Sequence, residues 1–231
     1  MDQMQLRRME AADRWEVAEL ICISTNTWYQ MHSRPALFPS PQKAEVFFDV
    51  YEALDPGCAI VAVNQRSGRL AGSCFVHPRP THVSLGIMNV HPNYFGRGVA
   101  GMLLQQIIAL ADELKKPLRL VSSALNLDSF ALYTRAGFVP QTPYQDMLLT
   151  VPEEGLKLQV EGAQRVRPAT ADDIPAMVRL EMEVAGLDRT QDFRFFLDNR
   201  DGNWHVSVYP GEPGELAGFM VSSGHPGLTM V

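Results

Sequence analysis

Val90-His91-Pro92-Asn93-Tyr94-Phe95-Gly96-Arg97-Gly98-Val99-Ala100 is the stretch on which the reading of this chain turns. With Gly101 its glycines satisfy GxGxxG, and unhindered amides at the start of a helix make a seat for a phosphorylated group, because the helix dipole favours anions there. A dinucleotide-binding reading fits poorly. In that unit the glycines follow the first parallel strand at once, and a carboxylate comes roughly 20 residues later to hold a ribose. Here residues 91–94 intervene, and the region around Val121-Ser122-Ser123 has no carboxylate. No Gly-Lys-Ser/Thr follows, which excludes a Walker loop. The plain alternative is a tight turn whose glycines only permit close packing.

Working outward, residues 58–63 and 70–76 are two β-rich runs around Asn64-Gln65-Arg66-Ser67-Gly68-Arg69, a hairpin by length and turn chemistry. Residues 82–90 form a third run after Pro78-Arg79-Pro80, so an antiparallel meander precedes the glycine turn. Upstream, residues 5–9 read as a strand and 11–25 as a helix with Trp15, Ala18, Leu20, Ile21 and Cys22 on its apolar face. Ser40 and Pro41 open a second helix that Asp55-Pro56-Gly57 stops. Downstream, Val99, Met102, Leu103, Ile107, Leu110 and Ala111 recur at helical spacing over 98–113. A buried strand follows at 118–124, then a helix over 126–136 that Gly137 ends with Phe138 packed back on its last turn. The final strands fall within 138–151.

The central stretch resembles the motif of the GNAT superfamily of N-acetyltransferases, Val-x-Pro-x-x-(Gln/Arg)-x-x-Gly-x-(Gly/Ala). Phe95 stands where the family usually has Gln or Arg. A second family motif, Asn-x-x-x-x-x-Leu-Tyr-x-x-x-Gly-Phe, is met by Asn126, Leu132, Tyr133, Gly137 and Phe138. The resemblance covers residues 5 to about 150. It implies an α/β (α+β) fold with a central, mostly antiparallel sheet flanked by helices and splayed between its fourth and fifth strands.

It also implies acetyl-CoA as co-substrate, without a metal, and transfer to a primary amine of a small molecule or peptide. Met88, Asn89 and Val90 would hold the pantetheine arm and thioester through their backbone. Phe95, Gly96, Arg97, Gly98, Val99 and Ala100 would hold the pyrophosphate, with Asn126 as cap and cofactor contact. Tyr133 would be the general acid, since a phenol of pKa ~10 stays protonated at neutral pH; its alternative is a core aromatic. Residues 82–90 hold no Glu or Asp to act as base, which leaves His82, His91 or a water chain open. Trp28, Tyr29, His32 and Phe38, placed in the loop between the first helices, are either an aromatic wall for the acceptor or ordinary packing. The contrasting function is a non-catalytic acyl-CoA sensor or interaction module.

Composition sets the remaining bounds. The 231 residues carry a formal net charge of -6 and no basic block, which argues against nucleic-acid binding. The first residues lack the apolar core of a signal peptide, and no stretch approaches the ~18 apolar residues of a membrane span. Cys22, Cys58 and Cys74 show no CxxC and read as reduced core thiols. A cytoplasmic protein is expected, and a homodimer is compatible with this composition.

Past residues 152–164, which read as a linker, the pattern begins again. Residues 6–20 line up with 166–180, matching Arg7 with Arg167, Ala11 with Ala171, Asp13 with Asp173 and Leu20 with Leu180. Leu70-Ala71-Gly72 recurs as Leu216-Ala217-Gly218, and His77-Pro78 as His225-Pro226. The expected organisation is an acetyltransferase domain over 1–151 and a partial second repeat over 165–231, in tandem, without the cofactor motif. The second copy stops at Val231, so either the natural chain continues or the half-domain packs on the first as a partial lid.

Overall fold

The computed structural model describes residues 3–145, 147, 149–225 and 228–230, the last three as backbone. Strand β1 (Met4–Arg8) leads through a single 3-10 turn into helix α1 (Arg14–Met31), followed by helix α2 (Glu45–Leu54). Strands β2 (Ile60–Asn64), β3 (Leu70–Pro78) and β4 (Val83–Val90) come next, then helix α3 (Val99–Glu113), strand β5 (Leu118–Arg119) and helix α4 (Leu127–Arg135). The five strands form one sheet in the order β1-β2-β3-β4-β5, antiparallel up to β4 and parallel between β4 and β5.

Alternation along β3 and β4 puts successive side chains on opposite faces of the sheet, each under a helical layer. Phe75 and Ile87 join Val17, Ile21 and Phe48 beneath α1 and α2. Cys74, Val76, Val83 and Leu85 pack against Val99, Leu103, Leu104 and Ile107 of α3, with Tyr133 of α4. Both faces are covered, which is why these strands read as nearly continuous apolar runs.

The second half forms its own sheet from β6 (Arg167–Pro168), β7 (Trp204–Pro210), β8 (Leu216–His225) and β9 (Leu228–Met230), with helices α5 (Ile174–Ala185) and α6 (Thr190–Asp198). Ile174, Met177, Phe193, Val206 and Val208 are its core. Arg167 holds Asp173 through paired bonds of 2.7 Å, as Arg7 holds Asp13, and each aspartate closes a capping box on a short 3-10 turn. Ala217 is squeezed out of the β7–β8 ladder as Ala71 is squeezed out of β2–β3. Pro226 and Val231 lie outside the described residues.

The halves meet around Arg79, which is 3% exposed. Its guanidinium grips Asp55 at 2.7 and 2.9 Å and reaches across to Asp192 of α6 at 2.8 Å. Gln191 donates to Leu54 O and Asp55, the Asp188 amide to Thr81 Oγ1, and Arg119 to Ala185 O. These contacts gather where β4 begins, whereas residues 95–100 follow its far end. The second half therefore packs on the first without covering the glycine turn.

Several sequence expectations are corrected. Helix α1 runs on to Met31, so Trp28 and Tyr29 lie in it and His32 is its C-cap, and Trp15 is 43% exposed. Of residues 118–124 only Leu118 and Arg119 pair, and Val121 is 86% exposed, so the expected buried strand is a two-residue edge. The described residues of 138–151 contain no strand. Val139, Tyr144, Met147, Leu149 and Val151 stand exposed there. Asp146 and Leu148 lie outside the described residues.

Candidate active site

The glycine turn is held from both sides. His91 donates its amide to Ala71 O (2.9 Å) and caps a 3-10 turn over Pro92–Tyr94, its Nδ1 accepting from the Asn93 amide (3.2 Å). Asn64, at the end of β2, donates to the Tyr94 hydroxyl at 2.9 Å. The chain then passes through Gly96 (φ +71°) and Gly98 (φ +83°), left-handed conformations that a Cβ would strain. Gly98 is the N-cap of α3, and Met102 is the first residue to bond back to it, at 3.0 Å. The amides of Val99, Ala100 and Gly101 therefore have no intrahelical acceptor. The turn is open beside its glycines: a Cβ built on Gly96, Gly98 or Gly101 meets nothing within 4 Å. Phe95, 42% exposed, flanks this opening, and the Arg97 guanidinium lies 5.9 Å from the centre of the Tyr94 ring.

Gly72 sets how deeply α3 sits. A Cβ there would come 2.9 Å from Val99 Cγ1 and 3.0 Å from both Asn89 O and Leu103 Cδ1. Its absence lets the first turn of α3 rest directly on β3, which brings the free amides to the end of β4.

Beside this seat the sheet opens. β4 and β5 pair only at Val83↔Leu118 and Ser84↔Arg119, and β4 then continues to Val90 without that neighbour. The register against β3 shifts at the same level: Cys74 faces Met88 and Val76 faces Leu85, so Gly86 and Ile87 share one partner in a β-bulge. Met88 and Val90 turn to the α3 side. Asn89 turns to the other, donating to Ser24 Oγ at 2.6 Å. The structure thus brings residues 88–90 and 95–100 to one cleft edge.

Tyr133 is 9% exposed, 5.7 Å from Phe138 and in the apolar cluster that includes Met88 and Val90. Burial, with Cys74 alongside, pushes its phenol up to about 12. Asn126 caps α4 through Oδ1, which accepts the Ser129 amide at 3.1 Å. Gly137 (φ +95°) ends the helix, and the Phe138 amide bonds Tyr133 O. Both parts of the second motif thus have local structural work, capping and core packing.

Three of the four aromatic residues adjoin: Trp28 meets Tyr29 edge-on at 5.3 Å and stacks on His32 at 4.3 Å, whereas Phe38 is buried against Phe47 at 5.7 Å. Of the candidate bases, His91 is the cap described above and His82 is 2% exposed, its pKa lowered by burial and then by Arg119 and Arg79. Sequence reasoning missed a third histidine. His77 Nδ1 lies 2.6 Å from Asp55 Oδ2, and its Nε2 is buried beside the bulge. The pair joins the end of β3 to the cap of α2, a juxtaposition no local motif carries.

Comparison with known proteins gives a consistent frame. Residues 25–138 match the model described as the acetyltransferase (GNAT) family. No curated protein matches the chain. Among solved structures, a putative acetyltransferase from Pyrococcus horikoshii shares 18% identity over 94% of this chain and 71% of its own, with a TM-score of 0.64. A mutant of the BH1408 protein from Bacillus halodurans shares 19% over 63% and 99%, with a TM-score of 0.50. At these identities the likeness is one of fold. The matched residues contain the glycine turn, the splayed strands and the Asn126–Phe138 motif, and the chain accordingly carries a GNAT acetyltransferase domain over residues 25–138.

Proposed function

We propose that the chain is an acetyl-CoA-dependent N-acetyltransferase that moves the acetyl group by direct attack of a primary amine, on a small molecule or a peptide. The observation that carries this reading is the open amide seat at the start of α3 beside the splay of β4 from β5. The backbone of residues 95–100 would take the pyrophosphate, with the Phe95 and Arg97 side chains at its rim. The backbone of Met88, Asn89 and Val90 would take the pantetheine arm and polarise the thioester carbonyl. Tyr133 would return a proton to the departing thiolate. Asn126 would fix the start of α4 as its cap and contact the cofactor.

Residues 1–151 would be the transferase, 152–164 a linker and 165–231 a second, siteless repeat in tandem. The shared ion pair, capping turn and extra alanine support that division. Titration calorimetry with acetyl-CoA, followed by free-thiol detection across alkylamines, polyamines, amino sugars and peptides, tests the reading. Micromolar binding with thiol release on one class is expected; no binding at millimolar acetyl-CoA defeats it. The alternative, an acyl-CoA-binding module, draws on Phe95 and on the burial of Tyr133, and predicts binding without thiol release from any amine.

A further inference from the structure

Five buried side-chain oxygen or nitrogen atoms among the described residues have no hydrogen-bond partner, and three of them, Ser73 Oγ, His77 Nε2 and Asn89 Oδ1, belong to β3 and β4. Ser73 and Asn89 are register partners, and Asn89 bonds Ser24 of α1. His77 follows Ser73 and Phe75 on the same face, with the Tyr51 ring of α2 4.9 Å away. A strip of unmet polar atoms thus runs through the otherwise apolar layer beneath α1 and α2. Buried polar atoms of this kind call for a partner that arrives from outside, a water or a substrate.

Of the three, His77 Nε2 is the one with proton-accepting chemistry. Burial opposes the charge on Asp55, but hydrogen bonds from His77 and Arg79 outweigh it and hold the carboxyl below its usual range. An ionised carboxylate only accepts, so Nδ1 carries the hydrogen in the neutral ring and Nε2 carries the lone pair. That lone pair is at the bulge: a Cβ on Gly86 would stand 2.8 Å from Nε2. Only glycine lets the ring approach β4 so closely, at the level where β4 leaves β5. The orientation of the ring is fixed from a distance, since Asp55 is gripped by Arg79 and Arg79 by Asp192 of the second half.

We propose that His77 is the proton acceptor of the transfer, and that the second half of the chain holds it in place through Asp192, Arg79 and Asp55. This rests on the acetyltransferase reading above. One proton of the bound ammonium passes to His77 Nε2, and the freed amine nitrogen bonds to the thioester carbon. As the C–S bond breaks the thiolate takes the Tyr133 proton, the amide nitrogen gives up its second proton through solvent to the phenolate, and the imidazolium releases its own proton to solvent. Arg79 and Asp192 are positioning residues.

The test uses the full chain with His77→Asn, whose amide can still donate to Asp55 as Nδ1 does but has no basic nitrogen to take a proton at the bulge. Ethylamine and the similarly shaped but far less basic trifluoroethylamine serve as paired acceptors at saturating acetyl-CoA. For ethylamine a fall in turnover of about 100-fold is expected, for trifluoroethylamine a fall of less than about 5-fold, and acetyl-CoA affinity should hold within about 2-fold. Equal losses on both amines, or none, overturn the proposal. If His77→Asn does not fold, Asp192→Asn carries the same comparison: a larger loss on ethylamine supports the proposal, and equal losses overturn it. Acetyl-CoA binding without thiol release from any amine overturns the base and leaves the cofactor site standing, whereas absence of binding removes the acetyltransferase reading itself.

Discussion

Tyr133 occupies a place where removing one oxygen separates packing from chemistry. Its ring belongs to the core, so Tyr133→Phe should keep the fold and hold acetyl-CoA affinity within about 2-fold while turnover falls about 10- to 100-fold. Calorimetry and thiol release on the same preparation check both. The sign of the pH effect follows from burial. The folded phenol, at about 12, lies above its ordinary 10.0, so its contribution to stability is complete below pH 10 and is lost as pH rises towards 12. The unfolding midpoint should therefore drop between pH 10 and pH 12, and drop less in the phenylalanine variant. Phe95→Gln puts a polar side chain at the rim of the amide seat. One added hydrogen bond of about 1 kcal/mol would tighten acetyl-CoA about 5-fold, read by calorimetry. The turn and Tyr133 were legible in the sequence because their spacing is local. Asp55 and His77 were not: they meet only because the cap of α2 and the end of β3 share one corner of the fold.

Among the elements, α3 shows how one missing methyl places a binding seat. Gly72→Ala would drive a Cβ into Val99, Leu103 and Asn89 O, costing about 1–3 kcal/mol in urea unfolding and weakening acetyl-CoA binding as the first turn of α3 shifts. An unchanged midpoint with unchanged affinity would show that the helix position is not set there. The meander and α3 were legible because their apolar periods were unbroken. α1 was read too short because residues 24–28, Ser-Thr-Asn-Thr-Trp, favour loops, whereas the structure pins Asn26 to the backbone of Leu37 and Phe38 and keeps the helix intact. At 118–124 an apolar run looked buried, but burial needs strands on either side, and beyond Arg119 no strand among the described residues pairs with it.

At the scale of the molecule, Arg79 is the clasp between the two halves. Asp192→Ala would leave its buried guanidinium half-satisfied and cost about 3 kcal/mol. Chemical denaturation should then show the halves unfolding separately. The clasp is also sensitive to acid: because Asp55 is held below its ordinary 3.8, its share of stability is present above about pH 4 and lost as pH falls further. A steep decline in the unfolding midpoint as pH falls below about 4, absent in Asp55→Asn, is the expected observation. The pairings Arg7–Asp13 and Arg167–Asp173 were legible as matched residues, but the clasp was not, since neither Arg79 nor Asp192 is among the residues that match. Asp192 lies 113 residues after Arg79. At roughly 5–20 residues per second, a ribosome exposes the first half for about 6–23 seconds before its counter-charge emerges. During that interval the nascent domain carries a guanidinium shared with Asp55 alone, and synthesis of α6 is the event that closes it.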